Sequence, residues 1–362
     1  MQWGIFGDTV ADTSLDPSAV RKVTSEILGT SDWGLVANLE LPLCDDGVGR
    51  RARKVVAWRA PEATAELLVS SGIAAVSVAN NHATDWGIAG LLATIDALGR
   101  AGVAAVGAGR DLGLASRAWV SPDQRLAVVG LSCTVPPGSA ADVDQPGMAS
   151  LRVTTRMDVD TNRLEELPLT PPAMRGRFDP SQIEPAVAQV RAHAHAGRGV
   201  AVMIHWGVAF TTRVDDYMFD LAELLVDAGA TLIMGHHSHT LGAVARYGDA
   251  LVCFGLGDFV RLPTLVEGAD LQRPGLGRDW ENWSRVGLCA LLDDAGTGGE
   301  VGLIPFSIDL DTGLPDAALA GSELAQFNGW LNWVSALEVV DRPGWQPVAL
   351  DPADSFPLRY SR

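Results

Sequence analysis

The 362-residue chain carries 44 acidic and 27 basic side chains, which gives it a formal net charge of −17 at neutral pH. Nucleic acids and anionic membranes are bound through basic patches, so this charge argues against either of them as a bulk partner. Hydrophobic residues make up 47% of the chain, enough for a sizeable core, and we expect a globular protein of ordinary enzyme size.

No stretch of the sequence reaches the roughly 18 apolar residues that a bilayer-spanning helix needs. Met1 leads directly into an apolar strand, without the basic region and long apolar region of a secretory signal peptide. We therefore expect a cytoplasmic protein with no membrane partner.

Apolar, β-prone runs end abruptly in Asp, Glu, Asn or His along the chain. The five polar ends, in chain order, are Asp8, Glu40, Asn80-Asn81-His82, His205 and His236-His237-Ser238-His239. Buried strands of an α/β sheet read as continuous Val, Ile, Leu and Ala, and ligands bind beyond the carboxyl ends of such strands. We therefore expect the five ends to converge on one rim. A later apolar run ends in the same way at Asp258.

Helical patterns separate these strands. Asp16 and Pro17 are typical of a helix N-cap and first turn, and Gly29 is typical of a helix end. Further helices are predicted from Pro61 to Leu68, Ile88 to about Arg100, Asp179 to about Ala196, Tyr217 to Val226 and Ser322 to Val339. Alternation of strands with helices of about ten to fifteen residues predicts an α/β protein built from βαβ units.

Two polar stretches that carry proline or glycine interrupt this alternation, at about 135–178 and at 261–285. Long stretches without regular structure are commonly lids over a site. We expect both to flank the rim and to determine substrate choice, the first as a partly ordered lid. In the second, Trp280 and Trp283 are candidates for aromatic walls, with packing under a surface loop as the alternative.

A basic run extends from Arg50 to Lys54, between the second and third strand ends. We interpret it as a solvated hairpin. The alternative is a patch that anchors an anionic substrate.

Histidine is concentrated at the fifth strand end, where His236, His237 and His239 lie within four residues. Imidazole is the commonest metal ligand in proteins near neutral pH, and two histidines separated by one residue on a tight loop can face a shared centre. Carboxylate, amide and imidazole donors together suit Mn, Fe or Zn better than Ca or Mg. Divalent ions would make the rim locally positive, so a small anionic substrate is compatible with the acidic chain.

These motifs resemble, in order, those of the CapA-type branch of the calcineurin-like metallophosphoesterases, the poly-γ-glutamate capsule proteins. The matching motifs, spread over residues 4–260, are Gly7-Asp8, Asn38-Leu39-Glu40-Leu41-Pro42-Leu43, Ala79-Asn80-Asn81-His82-Ala83-Thr84-Asp85-Trp86-Gly87, His205-Trp206-Gly207, Gly235-His236-His237-Ser238-His239 and Gly255-Leu256-Gly257-Asp258-Phe259. The resemblance implies a four-layer α/β/β/α sandwich with a dinuclear metal site at the strand ends. We expect one domain over residues 1–310, with the lid-like insertion at about 135–178, and a C-terminal extension, 311–362, packed on the same domain.

The resemblance also implies a ligand set for two divalent transition-metal ions, Mn, Fe or Zn. By position, one ion would be held by Asp8, Glu40 and His239, and the other by Glu40, Asn81, His205 and His237, with Glu40 as the bridge. In such a centre a bridging water is deprotonated near neutral pH and attacks phosphorus or a carbonyl carbon.

The same resemblance implies catalytic and substrate-binding residues beside the ligands. His82 would stabilise developing charge or protonate the leaving group, and Asp85 would orient it. The remaining polar motif residues, for which we expect contact with substrate, are Asn38, Asn80, His236 and Asp258. For His236, support of a metal ligand is the alternative.

Three positions depart from the family pattern. Thr9-Val10 follows Asp8 where the wider superfamily has Asp-x-His, so the first metal has one ligand fewer. Ala209 stands where an acidic residue usually follows His-Trp-Gly by two positions, and Asp258 replaces the Asn of a Gly-Asn-Phe motif. These changes leave the metal site intact and bear on the substrate.

The implied function is metal-dependent hydrolysis of a small anionic substrate, either a phosphoester or a γ-glutamyl-type amide. One alternative is an accessory or tailoring component of a system that synthesises poly-γ-glutamate or a peptide. Another is a non-catalytic interaction protein on the same fold. Burying Asp, Glu and several His without a metal would be costly, which argues against this last alternative.

Overall fold

A computed structural model of the protein describes residues 2–29, 32–262, 285–292, 301–309, 311–340, 342–348 and 358–360. The helices of these ranges are α1 (Pro17–Leu28), α2 (Thr64–Ser70), α3 (Gly87–Ala101), α4 (Leu112–Ala115), α5 (Thr161–Glu166), α6 (Glu184–His195, preceded by a 3₁₀ turn at Pro180–Ile183), α7 (Asp216–Asp227) and α8 (Gly321–Val339). The strands, in chain order, are β1 (Gln2–Val10), β2 (Trp33–Leu39), β3 (Ile73–Ser77), β4 (Ala104–Val106), β5 (Ala108–Gly109), β6 (Trp119–Val120), β7 (Leu126–Ser132), β8 (Gly147–Met148), β9 (Thr154–Asp158), β10 (Ala173–Arg177), β11 (Gly199–His205), β12 (Leu232–His236), β13 (Val244–Tyr247), β14 (Ala250–Cys253), β15 (Asp258–Arg261), β16 (Val286–Leu292), β17 (Val301–Ile308), β18 (Pro315–Ala318), β19 (Trp345–Pro347) and β20 (Leu358–Tyr360).

Two large sheets organise the chain. The first has the order β18-β17-β16-β1-β2-β3-β4, with β15 beside β1 and β20 beside β17. The second has the order β19-β13-β14-β12-β11-β7-β6. Strands β1 to β4 are parallel, as are β7, β11, β12 and β14, so within each group the carboxyl ends meet at one edge. The expectation of a mixed α/β protein with βαβ units is confirmed.

Helix α1 forms where the sequence predicted it. The Asp16 carboxylate accepts hydrogen bonds from the backbone amides of Ser18 (2.9 Å) and Ala19 (3.3 Å), and so caps two of the otherwise unpaired N–H groups. Gly29 ends the helix in the left-handed conformation, with φ of 67°. The helix joins two parallel neighbours, β1 and β2, and thereby brings Asp8 and Glu40 to the same edge.

The core comprises three clusters of buried side chains. One packs the first sheet against α1, α2 and α3, and another packs the second sheet against α6 and α7. The third contains residues from both sheets, among them Ile5, Val36, Met203 and Met234. Because full burial of one such side chain contributes about 1.5–3 kcal/mol, this cluster holds the two sheets firmly against each other.

The polar stretch at about 135–178 is ordered to a large extent. It contains a two-stranded antiparallel sheet, in which Arg156 of β9 is paired with Arg175 of β10, and α5 lies between the two strands. Most side chains of both strands are exposed. They therefore lack the alternation of apolar and polar residues that would have identified them as strands. The second polar stretch falls almost wholly on residues 263–284, and these, with Trp280 and Trp283, lie outside the described residues.

The chain beyond residue 310 adds to both sheets. Strand β18 extends the first sheet and β19 the second, while α8 packs beside β13 and β19. None of the helices in the described part of the chain is long and apolar enough to cross a membrane.

Candidate metal centre

The sheet topology brings the polar strand ends together. Asp8 in β1 is paired with Asn38 in β2 on one side and with Asp258 in β15 on the other. In the second sheet, His205 at the end of β11 is paired with His236 at the end of β12. The expected convergence of the strand ends is therefore present in the structure.

Two groups of metal-ligand side chains overlap at this rim. Asp8, Glu40 and His239 form one group, and Glu40, His205 and His237 form the other; the donor atoms within each group lie within 4.8 Å of one another. Glu40 belongs to both groups. Its Oε1 lies 3.4 Å from His205 Nε2 and its Oε2 lies 3.7 Å from His239 Nε2, so that each carboxylate oxygen faces one group. This is the arrangement that a bridging carboxylate requires.

Asn81 joins the second group through its amide oxygen. Asn81 Oδ1 lies 2.6 Å from His205 Nε2. The four side chains that the family resemblance assigned to the second metal are thus close together around Glu40. The three assigned to the first metal are likewise adjacent.

Several buried polar atoms of the centre have no hydrogen-bond partner among the described residues. They include both oxygens of Glu40 and Nδ1 of His237. Leaving buried polar groups unpaired is costly, and for a buried carboxylate the cost amounts to several kcal/mol. A set of carboxylate, amide and imidazole donors fits divalent transition metals, and bound ions would satisfy these atoms. The residues present therefore fit two such ions.

The carboxylates of the centre have opposite pKa shifts. Burial raises the pKa of Glu40 well above its ordinary value, an effect that the charge of His239 only partly offsets. Burial also acts to raise the pKa of Asp8, but the nearby imidazoles of His236, His239 and His205 outweigh it and leave that pKa below its ordinary value. Asp8 is therefore an anion at neutral pH, whereas Glu40 retains a proton more readily.

The histidines of the centre differ in the same way. Burial lowers the pKa of His205 well below its ordinary value, and burial together with the charge of His239 lowers the pKa of His237 to about 3. Both are thus neutral imidazoles, the form that binds metal. Burial also acts to lower the pKa of His239, but the Glu40 and Asp258 carboxylates outweigh it and raise that pKa to about 9. A metal at the first position would have to displace this proton.

The loop that carries His237 and His239 has an unusual backbone. Both residues have positive φ, 88° for His237 and 52° for His239, in the left-handed region that side chains other than glycine seldom adopt. Such conformations cost about 1–3 kcal/mol each and persist where the surroundings enforce them. The backbone amide of His237 donates a 3.1 Å hydrogen bond to Asp8 Oδ2. The strained loop is therefore tied directly to a candidate ligand on the other sheet.

Asn38, Asn80 and Asp258 are buried, and the structure places them next to the candidate ligands. Asn38 Nδ2 donates to Asp8 Oδ1 at 2.7 Å, and Asn80 Nδ2 donates to the backbone oxygen of Leu39 at 2.8 Å. Asp258 Oδ1 accepts from His239 Nδ1 at 2.8 Å. These contacts favour support of the ligands over the contact with substrate that the sequence suggested.

His236 is the remaining residue of the histidine cluster. It is buried, and its Nδ1 lies 3.4 Å from Asp8 Oδ1. Neither ring nitrogen has a hydrogen-bond partner among the described residues. Of the two roles considered for it, this position favours support of Asp8.

His82 lies beside the second group of ligands and is held on two sides. Its Nδ1 is 2.7 Å from Asp85 Oδ2, and its ring stacks on Trp58 with the centroids 4.2 Å apart. Burial lowers the pKa of His82, although the Asp85 carboxylate partly opposes this. Since Asp85 engages Nδ1, Nε2 is the ring nitrogen left for a substrate.

Trp58 was not recognised from the sequence as part of the site, and Lys54 was considered only within a basic run that could anchor a substrate. Lys54 forms an ion pair with Asp85, and its Nζ lies 2.9 Å from the backbone oxygen of Asn81 and 3.2 Å from His82 Nδ1. The interpretation of the basic run as a hairpin is wrong. Residues 50–59 form an irregular loop without paired strands. The amide of Ala52, for example, donates to the backbone oxygen of Asp85 and not to a strand within the run.

Phe210 is a further residue that the sequence did not reveal. Its ring stacks on His239 with the centroids 5.3 Å apart, and its backbone amide donates to the backbone oxygen of Ser238 at 2.7 Å. Its φ of 63° is again left-handed. A positive φ at an aromatic residue leaves no signal in the sequence.

The chain is similar to several known proteins. The chain is 26% identical over 246 residues to PGA biosynthesis protein CapA of Bacillus subtilis, covering 67% of this chain and 56% of that protein. It is 28% identical over 245 residues to capsule biosynthesis protein CapA of Bacillus anthracis (67% and 53%). It is 31% identical over 231 residues to a probable polyglutamine synthesis accessory protein of Mycobacterium tuberculosis (62% and 54%). The chain thus spans about half the length of the curated relatives it matches.

A family model described as bacterial capsule synthesis protein PGA_cap matches residues 5–262. That range contains both groups of candidate ligands, from Asp8 to His239, and also Asp258. The chain therefore belongs to the PGA_cap family of bacterial capsule synthesis proteins.

Proposed function

We propose that this protein is a metal-dependent hydrolase that holds two divalent transition-metal ions, Mn, Fe or Zn, at the rim of an α/β/β/α sandwich. The observation that carries the proposal is the environment of Glu40. Both of its oxygens are buried and unpaired among the described residues, and each faces a different group of ligands. Two metal cations, one beside each oxygen, would compensate the cost of burying this carboxylate without hydrogen bonds.

The ligands of the first ion would be Asp8, Glu40 and His239, and those of the second Glu40, Asn81, His205 and His237. When bound, such ions supply Lewis-acid activation of a water molecule and of a substrate oxygen. In its imidazolium form, which keeps one N–H on Asp85, His82 would donate the second proton from Nε2 to the leaving group or stabilise the charge that develops there. Asp85, Lys54 and Trp58 would hold its ring in position.

The substrate class that fits is a small anion, either a phosphoester or a γ-glutamyl-type amide. Its reacting group would lie at the ions, and the rest of the molecule needs space beside them. A cavity of about 470 Å³ lies between the hairpin β9–β10 and the loop after β11. Gly207, two residues beyond His205, is part of its wall, together with Val208, Met174 and Arg213. Such a wall offers apolar surface together with a guanidinium, that of Arg213, which is ion-paired with Asp215 on the same wall.

A second candidate function is an accessory or tailoring role in the synthesis of poly-γ-glutamate or a related peptide. The names of the relatives favour it, since they describe capsule biosynthesis, PGA biosynthesis and a probable polyglutamine synthesis accessory protein. In that role the centre would bind or trim a polymer made by another protein.

We expect protein purified without chelator to contain about two transition-metal ions per chain, as counted by elemental analysis. It should hydrolyse members of a panel of phosphoesters and γ-glutamyl amides, and lose this activity after chelation. Failure to bind Mn, Fe and Zn would refute the proposed metal centre. Two bound ions without turnover of any panel member would favour the accessory role.

The cavity beside His205 should affect substrate use without affecting the metal. Val208 lies on its wall and is 59% exposed, so Val208→Trp should narrow the cavity while the fold is kept. We expect kcat/KM for the larger substrates to fall about tenfold or more, with the metal content unchanged. Leu114→Trp, at an exposed position on α4, is the control. Equal kinetics for the two variants would show that substrates do not enter this cavity.

A further inference from the structure

Asp258 lies at the start of β15, directly opposite Asp8 in the sheet. It is 1% exposed, and both of its carboxylate oxygens are engaged. Oδ1 accepts from His239 Nδ1 at 2.8 Å, and Oδ2 accepts from Arg261 Nη1 at 2.9 Å. The three side chains thus form a chain of contacts, from His239 through Asp258 to Arg261, that begins at the candidate first metal position.

The hydrogen bond to Asp258 determines which nitrogen of His239 is left for a metal. With Nδ1–H donated to the carboxylate, Nε2 is the nitrogen at which a metal would replace the other proton, and it lies 3.7 Å from Glu40 Oε2. Phe210 covers one face of the same ring. His239 is therefore held at its edge by Asp258 and on its face by Phe210.

Arg261 explains why an aspartate, and not an asparagine, suits position 258. An asparagine at position 258 could accept from His239 through Oδ1, but its Nδ2 would then face the Arg261 guanidinium. Both of those groups are hydrogen-bond donors. Only an acceptor with two free oxygens satisfies His239 and Arg261 together, so Asp258 and Arg261 form a matched pair.

The first metal position also has fewer ligands than the second. The described residues supply three side chains there, Asp8, Glu40 and His239, whereas Asn81 brings the other group to four. Loss of a group that orients a metal ligand typically costs about 10- to 100-fold in affinity, and a three-ligand position has little to compensate for it.

We propose that Asp258, held in place by Arg261, is a positioning residue that fixes His239 as a ligand of the first metal. This inference rests on the proposed metal centre and deepens it. A carboxylate that accepts from a ligating imidazole makes the ring a stronger donor than a neutral amide would. The pair thereby offsets the ligand that the first motif lacks.

The test is calorimetric titration of Mn²⁺ into the metal-free full chain and its Asp258→Asn variant. The first position is identified as the one whose binding Asp8→Asn removes. We expect Asp258→Asn to weaken binding there about 10- to 100-fold and to leave the second position within about twofold. Asp123→Asn is the matched control, since the Asp123 carboxylate also accepts two side-chain hydrogen bonds, from Trp3 and Ser121. Asp123 lies in the turn that precedes β7, at the opposite end of that strand from the rim.

A double variant separates positioning from simple loss of structure. Arg261→Gln supplies a side-chain oxygen that can accept from the amide nitrogen introduced by Asp258→Asn, so the two substitutions together should recover part of the lost first-position affinity. Unchanged first-position affinity in Asp258→Asn, or equal loss at both positions, would overturn the inference while leaving the metal centre in place. If the unchanged protein binds no metal, the proposed function fails and this inference with it.

Discussion

Glu40→Gln should remove metal from both positions at once, because each oxygen of the Glu40 carboxylate faces one group of ligands. The substitution keeps the shape of the side chain but replaces one oxygen by an amide nitrogen, which cannot bind a metal ion, and it removes the negative charge. Loss of a group that only orients a ligand costs about 10- to 100-fold in metal affinity. We expect the affinity of each position for metal to fall by more than this. Elemental analysis and Mn²⁺ titration measure both losses.

Asp8→Asn provides the contrast, since Asp8 belongs only to the first group. It should mainly empty the first position and leave about one ion per chain. Glu26→Gln is the control for the change itself, because Glu26 lies near the end of α1, just before β2 begins, at the opposite end of that strand from Glu40. Equal losses from Glu40→Gln and Asp8→Asn at both positions would contradict the assignment of Glu40 as the bridge.

The stability of the metal-free variant has a predictable dependence on pH. Burial raises the pKa of Glu40, so the folded parent binds a proton that the unfolded chain releases above about pH 4.5. The free energy of unfolding of the parent therefore falls as the pH rises above about 4.5 towards the raised pKa of Glu40. A glutamine at position 40 does not titrate. Without metal, the Glu40→Gln variant should have a higher melting temperature than the parent, and the difference should grow with pH. With metal, the parent should have the higher melting temperature. Thermal melts at several pH values, with and without Mn²⁺, test both directions.

The strand ends and the ligands among them could be predicted from the sequence because buried parallel strands have a simple pattern. Largely apolar runs before Asp8, Glu40 and His205 mark strands covered on both faces, and a sheet of parallel strands brings their ends together. Helix α1 was equally predictable, since Asp16 and Gly29 act within its own turns. In these cases the determining interactions are local or follow directly from parallel pairing.

The surroundings of the ligands could not be predicted, because they depend on contacts between distant parts of the chain. Lys54 and Trp58 reach His82 because their loop is bound to Asp85. Asn38 and Asp258 have side chains that could equally well bind a substrate. Only their pairing with Asp8, one on either side of it in the sheet, reveals that they contact candidate ligands. Sequence pattern identifies such residues as important but does not distinguish support of a ligand from contact with a substrate.

His82→Ala should preserve metal binding and abolish most of the turnover, which separates His82 from the ligands. Its Nδ1 is engaged by Asp85, and its ring packs on Trp58, so none of its contacts is required to hold an ion. Residues that donate a proton or stabilise charge in a transition state typically contribute about 10²- to 10⁴-fold in rate. We expect a loss of that size in kcat, on whichever substrate of the panel is hydrolysed, with about the parental metal content.

His205→Ala is the informative comparison because the two histidines lie on either side of Asn81. His205 Nε2 faces both Glu40 and Asn81, so its removal should lower the metal content together with activity. His193→Ala, on helix α6 away from the rim, should change neither quantity. If His82→Ala loses as much metal as His205→Ala, then His82 is a ligand and the role proposed for it is wrong. If His82→Ala keeps full turnover, the stack on Trp58 and the bond to Asp85 serve only to hold the loop, and the proton must come from another group.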